Sequence, residues 1–350
     1  MTEKDKPGLN KDIHAVEDDW YLQEEIVVHN GQQALRIDKY LMTRLNQISR
    51  SRIQQAIEAG SILVNRSQIK SNYKVRPKDL ISVFVPHPPQ TIGLEPEDIP
   101  LDIVYEDKYV VVLNKASGLV VHPGIGNHSG TLVNALLFHF GTMPEAANNN
   151  GRPGLVHRLD KDTSGLMVIA REEFALVHLA KQFFNHTINR RYVALVWGSF
   201  AEKEGTIEGN IGRHKRHREL MTVYPDGDFG KTAITHYKVL EDLGYVSLVE
   251  CKLETGRTHQ IRVHMKHIGH PIFNDSTYGG NQIVKGTVFT RYKQFVENNF
   301  KILPRQALHA RLIGFEHPKT GKYMEFSNEM PDEMLQVLNR WRTYLSSLRH

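Results

Sequence analysis

Apolar residues first recur at helical spacing at Ile37, Tyr40, Leu41 and Leu45, the i, i+3, i+4, i+8 stripe of an amphipathic helix. A second helix is predicted from Ser49, a favourable N-cap, through Ile53, Ala56 and Ile57 to a stop at Gly60. The period then drops to two. Ser61 to Asn65 reads as a short strand, and Ile81, Val83 and Val85 alternate in another. Pro86-His87-Pro88-Pro89 suits neither helix nor sheet and reads as a linker. Beyond it, Val110–Leu113, Leu166–Ala170 and Tyr192–Trp197 are buried β runs, and Thr232–Leu240 is expected to pair with Tyr245–Leu253. Val249, Cys251 and Leu253 share one face of the last. Helices are predicted near 172–185, 258–268 and 331–348, and Asn148-Asn149-Asn150 reads as a loop. Strands with helices between them, but no strict βαβ alternation, predict an α+β fold with a mixed or antiparallel sheet.

Length and charge refine this picture. A chain of 350 residues exceeds what one small core needs, so two domains are expected. No apolar run approaches the roughly 18 residues of a membrane span, and the opening MTEKDKPGLNKD lacks an apolar signal core. The single cysteine, Cys251, can form no internal disulfide and no multi-thiolate zinc site. A cytoplasmic protein is therefore expected. Charge is unevenly placed: Met1 to Glu25 carries three Lys against eight acids, a net of −5. Between Arg36 and Asp79, ten Lys/Arg face Asp38, Glu58 and Asp79, a net of +7. A concentrated basic block suits a polyanion, although a solvated face would carry the same charges. Arg50 and Arg52, at the start of the second helix, are the candidate phosphate contacts.

Three segments gather polar groups in apolar surroundings. GLVHRLDKDTSG (154–165) sets Asp160 between Arg158 and Lys161 in a glycine-bounded loop before a strand, a setting for a nucleophile or a turn cap. TGRTHQIRVH (255–264) places Arg257 after a glycine at a helix start, where a guanidinium can grip a carboxylate with two prongs. His259, His264 and His267 lack the i, i+4 spacing of a helical metal pair, so no metal is expected. NRRYVALVWG (189–198) puts Tyr192 beside two arginines, either as core or as a ring that stacks on a base. P-loop, G-x-G-x-x-G and G-x-S-x-G patterns are missing, which removes support for NTPase, dinucleotide and hydrolase-elbow readings. The run RHKRHR (213–218) reads as a basic hairpin tip.

RIDKYLMTRLNQISRSRIQQAIEAGSILVNRSQI resembles the small RNA-binding αL module first named in a small-subunit ribosomal protein. HRLDKDTSG resembles the catalytic motif of the RluA family of pseudouridine synthases. RRYVALVWG and TGRTHQIRVHMKHIGHPIFND resemble its next two motifs in order, with NKASGLVVHPG upstream and RQALHARLIGFEHPKTG downstream. The resemblance spans about Leu35 to Trp341. It departs at Ala116, where the family often has proline, and at Asn274, where glycine commonly precedes the aspartate.

The resemblance implies the following. An acidic flexible tail (1–33) precedes the αL module (34–85), a proline-rich linker (86–100) and a pseudouridine synthase domain (101–350) built on a central mixed, mainly antiparallel sheet. Asp160 matches the aspartate that attacks the target uridine so that its base detaches, rotates and rejoins through carbon. Arg257 matches the arginine paired with that aspartate, and Tyr192 the tyrosine lying against the flipped base. Leu308 lines the pocket, and Arg158 helps to extrude the base. The expected enzyme is a cytoplasmic monomer acting on large-subunit ribosomal RNA, without metal, nucleotide or other cofactor. Two alternatives stay open: the same chemistry on another rRNA site or a tRNA, and a non-catalytic RNA-binding ribosome-assembly factor. The intact Asp160, Tyr192 and Arg257 set favours the enzyme.

Overall fold

A computed structural model describes residues 20–45, 50–58, 60–65, 67–86, 94–124, 127–144, 153–215, 217 and 220–348. The chain divides into two compact units, 1–92 and 93–350.

The first unit runs β1 (Trp20–Val27), α1 (Ile37–Met42), α2 (Arg50–Glu58), β2 (Ile62–Val64), β3 (Ser67–Gln68) and β4 (Leu80–Pro86). Its sheet has the order β1-β4-β2-β3. The helical stripe is buried as expected: Ile37, Tyr40, Leu41 and Leu45 join Ile53, Ile57, Ile62, Ile81 and Val83 in one core. The expected flexible tail is partly wrong. Trp20–Val27 is a strand, paired antiparallel with β4 from Trp20↔Pro86 to Val27↔Leu80. Acids at Glu24 and Glu25 hid an alternation that buries Ile26 and Val28. The proposed Ser49 cap and the Asn148-Asn149-Asn150 loop lie outside the described residues.

A buried carboxylate ties the two helices together. Asp38, fully buried, accepts from Arg36 Nε (3.1 Å) and Nη2 (2.9 Å), from Arg50 Nε (3.1 Å) and Nη2 (3.0 Å), and from Gln54 Nε2 (2.7 Å). The Arg36 hydrogen bond, outweighing the cost of burial, holds Asp38 well below the usual carboxylate range. Arg50, expected from sequence to contact phosphate, thus also bridges to Asp38 while its side chain stays 43 % exposed.

The second unit runs β5 (Ile103–Glu106), β6 (Val110–Lys115), α3 (Leu132–Phe140), β7 (Ser164–Ala170), α4 (Glu173–Phe184), β8 (Asn189–Trp197), β9 (Glu204–Arg213) and β10 (Met221–Tyr224). There follow β11 (Lys231–Asp242), β12 (Val246–Leu253), α5 (Gln260–His267), α6 (Thr290–Ile302), β13 (Leu308–Glu316), β14 (Tyr323–Ser327) and α7 (Asp332–Ser347). One ten-stranded sheet has the order β10-β9-β11-β12-β8-β13-β7-β6-β5, with β14 on β13. Only β13 and β7 pair in parallel, so the sheet is mixed and mainly antiparallel, and β11 pairs with β12 as predicted.

Both faces of the sheet at β6 and β7 are covered, which is why Val110–Leu113 and Leu166–Ala170 read as unbroken apolar runs. Val110, Val112, Leu166 and Val168 pack toward α4, whereas Val111, Leu113, Met167 and Ile169 join the core that includes α3, α6 and α7. That larger core is aromatic. Trp197 donates Nε1–H to the Gly280 carbonyl at 2.8 Å and lies edge-on to Trp341, their centroids 6.2 Å apart. Helices α3 and α6 were not predicted. Thr131 and Asn134 close a capping box at the start of α3.

Candidate active site

The loop carrying Asp160 is set by what surrounds it. Leu155 bridges back to Ile169, and the Thr163 N–H donates to the Asp160 carbonyl at 3.1 Å, turning the chain into β7. Gly165, at φ +120°, lies against the Ala310 backbone so closely that any Cβ would overlap it; only glycine lets β7 approach β13 here. Two buried cations fix the far side of the loop. Lys115 Nζ donates to the carbonyls of Ala116 (2.7 Å), Leu119 (2.9 Å) and Lys161 (2.9 Å), and burial pushes its amine down to about 7. Arg305 donates to the Asp162 carbonyl (3.1 Å) and to Glu333 (2.7 Å).

Asp160 presents its carboxylate to a cleft of about 520 Å³, its side chain 19 % exposed. Its ion-pair partner is Arg262. Arg262 Nη1 donates to Asp160 Oδ2 at 3.1 Å, while Nε and Nη2 grip Asp275 at 2.6 and 2.9 Å. Asp275 is fully buried and also accepts from the backbone N–H groups of Thr277 and Tyr278. The guanidinium lies 5.0 Å from the Tyr278 ring centroid. Burial alone would lower Arg262, but the hydrogen bonds and charges of Asp275 and Asp160 carry it above the ordinary arginine value.

The expectation that Arg257 pairs with Asp160 is thus corrected. Arg257 precedes α5, and its Nε donates to the Thr232 carbonyl at 3.0 Å. The chain turns at His259, in the left-handed region at φ 55°, before the helix begins at Gln260. Arg262, in the first turn of α5, is the arginine delivered to the carboxylate. Arg257 still lines the same cleft, as do Tyr192, Arg158 and Leu308. Tyr192 on β8 is 7 % exposed, and its burial raises the phenol above its ordinary value. Leu308, 4 % exposed, starts β13, and Arg158 is exposed. Of the two module arginines, Arg52 falls in α2 and Arg50 on Asp38.

Three residues at the site, Arg262 and His259 on the cleft wall and the buried Asp275 behind them, were not assigned these roles from sequence, His259 having been weighed as a metal ligand. Arg262 and Asp275 both lie in TGRTHQIRVHMKHIGHPIFND, which held the signal. His259 is the third. The Met221 N–H donates to Tyr278 Oη at 3.1 Å, which leaves the phenol proton for His259 Nδ1 at 2.8 Å. That chain assigns the ring's own proton to Nε2, 3.9 Å from Asp160 Oδ1. Burial, which disfavours the charged ring, lowers His259 below its ordinary value despite the opposing charge of Asp160. Asn274 occupies the left-handed region that glycine would, φ 58°, and its amide donates to the Phe300 (3.1 Å) and Leu303 (2.6 Å) carbonyls. Among the described residues no group of three or more His, Cys, Asp and Glu is placed to hold a metal. His264 instead bonds Thr235 Oγ1 at 2.9 Å. Of the run 213–218, Arg213 ends β9, which pairs antiparallel with β10, and Arg216 and Arg218 lie outside the described residues. No helix among the described residues is long and apolar enough to cross a membrane.

A model of the RNA pseudouridylate synthase family matches residues 109–267, and an S4 domain model matches 35–81. An uncharacterized RNA pseudouridine synthase of Chlorobaculum parvum is 46 % identical over 322 residues, covering 91 % of this chain and 98 % of that protein. Ribosomal large subunit pseudouridine synthase D of Haemophilus influenzae is 41 % identical, covering 89 % and 93 %. Among solved structures, human RNA pseudouridylate synthase domain containing 4 superposes with a TM-score of 0.52 at 25 % identity, over 69 % of this chain and 93 % of that one. Fold, cleft and relatives together define an RNA-modifying isomerase. The chain belongs to the RluA family of pseudouridine synthases, with an S4 domain in front of the synthase domain.

Proposed function

We propose that this enzyme converts specific uridines of large-subunit (23S) ribosomal RNA to pseudouridine, with Asp160 as nucleophile and the target nucleotide extruded into the cleft. The observation that carries the reading is Asp160, the one carboxylate among the described residues lining the cleft, held by a guanidinium that is itself clamped by the buried Asp275. Relatives named for large-subunit rRNA, 39–41 % identical along nearly the whole chain, support the substrate class.

The reaction breaks the N1–C1′ bond, rotates the ring and forms C5–C1′; the C5 proton leaves and N1 gains one. Atoms and electrons balance within the nucleotide, so no redox partner is consumed. Arg262 fixes one oxygen of Asp160, leaving Oδ1 on the side of His259 for attack. Tyr192 supplies an apolar ring against which the uracil lies, and Leu308 fills the wall beside it. Arg158 at the rim takes the place of the extruded base, and Arg257 meets the RNA backbone. Extrusion costs a few kcal/mol, which basic contacts to phosphate offset. The module supplies some of these, Arg52 among them. This reading places the enzyme with ribosomal RNA in the cytoplasm. The test is to map pseudouridines in rRNA from cells with and without the gene. Sites that vanish from 23S rRNA on deletion are expected; loss confined to tRNA, or no loss, would overturn the substrate assignment.

A further inference from the structure

Strand alternation turns Arg190 and Tyr192 to the cleft and Arg191 to the opposite face, where it pairs with Glu250 at 3.1 Å. Arg190 is 8 % exposed. Its Nη2 reaches the Glu254 carbonyl at 3.3 Å, and its Nε is buried without a hydrogen-bond partner. Among the described residues no carboxylate stands within ion-pair distance of it. Burial accordingly lowers its guanidinium below the ordinary value, with only the Tyr192 hydroxyl acting the other way. The Phe183 ring, 5.3 Å away, gives partial compensation. Room for the group is built in: a Cβ on Gly256 would stand 2.7 Å from Arg190 Nη1.

A guanidinium withdrawn from water without a counter-charge is costly, and the other two buried arginines among the described residues, Arg262 and Arg305, each hold a carboxylate. Unlike the buried Lys115, whose ammonium is met by three carbonyls, Arg190 has one carbonyl at 3.3 Å and faces the cleft, so an anion entering there would complete it. A nucleotide brings one, its phosphate, whereas the uracil carbonyls are neutral. A forked guanidinium meets phosphate oxygens with two parallel bonds. Phe184, 82 % exposed on the same cleft wall, offers a ring to a neighbouring base.

We infer that Arg190 is the phosphate subsite of the cleft, binding a phosphate that flanks the extruded uridine. This rests on the reading of the cleft as the place where the target nucleotide is held. The test uses the full-length enzyme and short RNAs containing the target uridine, unmodified or with a neutral methylphosphonate at its 5′ or its 3′ phosphate. Affinity and single-turnover conversion are measured for wild type, Arg190→Met and Arg190→Lys, with thermal unfolding as a folding control. Neutralising one of the two phosphates is expected to weaken wild-type binding roughly 10- to 100-fold, the range for charge-assisted hydrogen bonds. Arg190→Met should lose as much on the unmodified RNA but little more on that methylphosphonate, and Arg190→Lys should fall between. Losses that add, for both methylphosphonates and in both variants, would overturn the inference. Wild-type conversion of the unmodified RNA reports on the proposed function separately, and the affinity comparison needs no turnover.

Discussion

Replacing Arg262 and Arg257 by lysine, one at a time, separates the arginine that aims Asp160 from one that merely lines the cleft. Arg262 makes three charge-assisted bonds at 2.6, 2.9 and 3.1 Å, and its side chain is 7 % exposed. A lysine ammonium carries the charge but cannot span Asp275 and Asp160 with one fork. At least the bond to Asp160 is lost, worth about 1.5–3 kcal/mol, together with one prong on Asp275. The carboxylate is then free to swing by on the order of 1 Å, a misplacement that costs roughly 100-fold in rate. We expect Arg262→Lys to lower single-turnover conversion of a pre-folded rRNA fragment by on the order of 100- to 1000-fold at saturating enzyme, with RNA affinity nearly unchanged. Arg262→Met would leave Asp275 buried without a counter-charge and destabilise the second unit by about 3–5 kcal/mol. Arg257→Lys loses one bond to a carbonyl and should stay within about threefold in rate, any defect appearing in affinity and fading at low salt. Rapid quenching with pseudouridine detection reads both. A large rate loss for Arg257→Lys beside a near-normal Arg262→Lys would refute the assignment.

Other consequences follow from buried groups. Asp38→Asn should destabilise the first unit by about 3 kcal/mol, the low end for a buried pair because its arginine partners are 37 % and 43 % exposed. Hydrogen exchange across 20–86 should speed up while the second unit's amides hold. Burial pushes His264 and His309 down to about 4, so between pH 6.5 and 4 the unfolded chain binds protons the folded one does not. Stability therefore falls as pH falls through that window, by up to about 1.4 kcal/mol per pH unit per group. Urea titrations of wild type and His264→Gln should show the variant's slope flatter; equal slopes would place the titration elsewhere. His259→Phe removes the Nε2 proton facing Asp160 Oδ1 and should slow turnover about tenfold with affinity retained; a wild-type rate would leave His259 as packing only.

The elements that sequence patterning caught are those with one dominant period. The stripe from Ile37 to Leu45 and the two-sided runs at Val110 and Leu166 are set by burial alone. The strand Trp20–Val27 escaped because it follows an acidic stretch and its exposed Glu25 reads as a continuation of that tail. In the cleft, motif segments were legible but not which side chain each would deliver. Arg257 and Arg262 lie five residues apart in one motif, and the choice is made by Asp275, 13 residues beyond Arg262, and by the left-handed turn at His259. The tie of Arg50 to Asp38 was hidden for a similar reason: an acid inside a basic block meets it only once both helices pack. Charge counts see the block; only tertiary structure shows that Arg36 and Arg50 also hold Asp38. Arg190 is the converse, a cation whose lack of a carboxylate partner among the described residues becomes visible only when the sheet is assembled.

The central claim, that Asp160 is the nucleophile of a uridine isomerisation in large-subunit rRNA, is tested most directly with Asp160→Asn. The substitution keeps size and an acceptor for Arg262 but removes the anion. Wild-type and variant enzymes are mixed at saturating concentration with a pre-folded rRNA fragment bearing a gene-dependent site, and pseudouridine is quantified over time. The account predicts full conversion by wild type and none by Asp160→Asn at similar RNA affinity. A variant that converts the fragment at near the wild-type rate would contradict it.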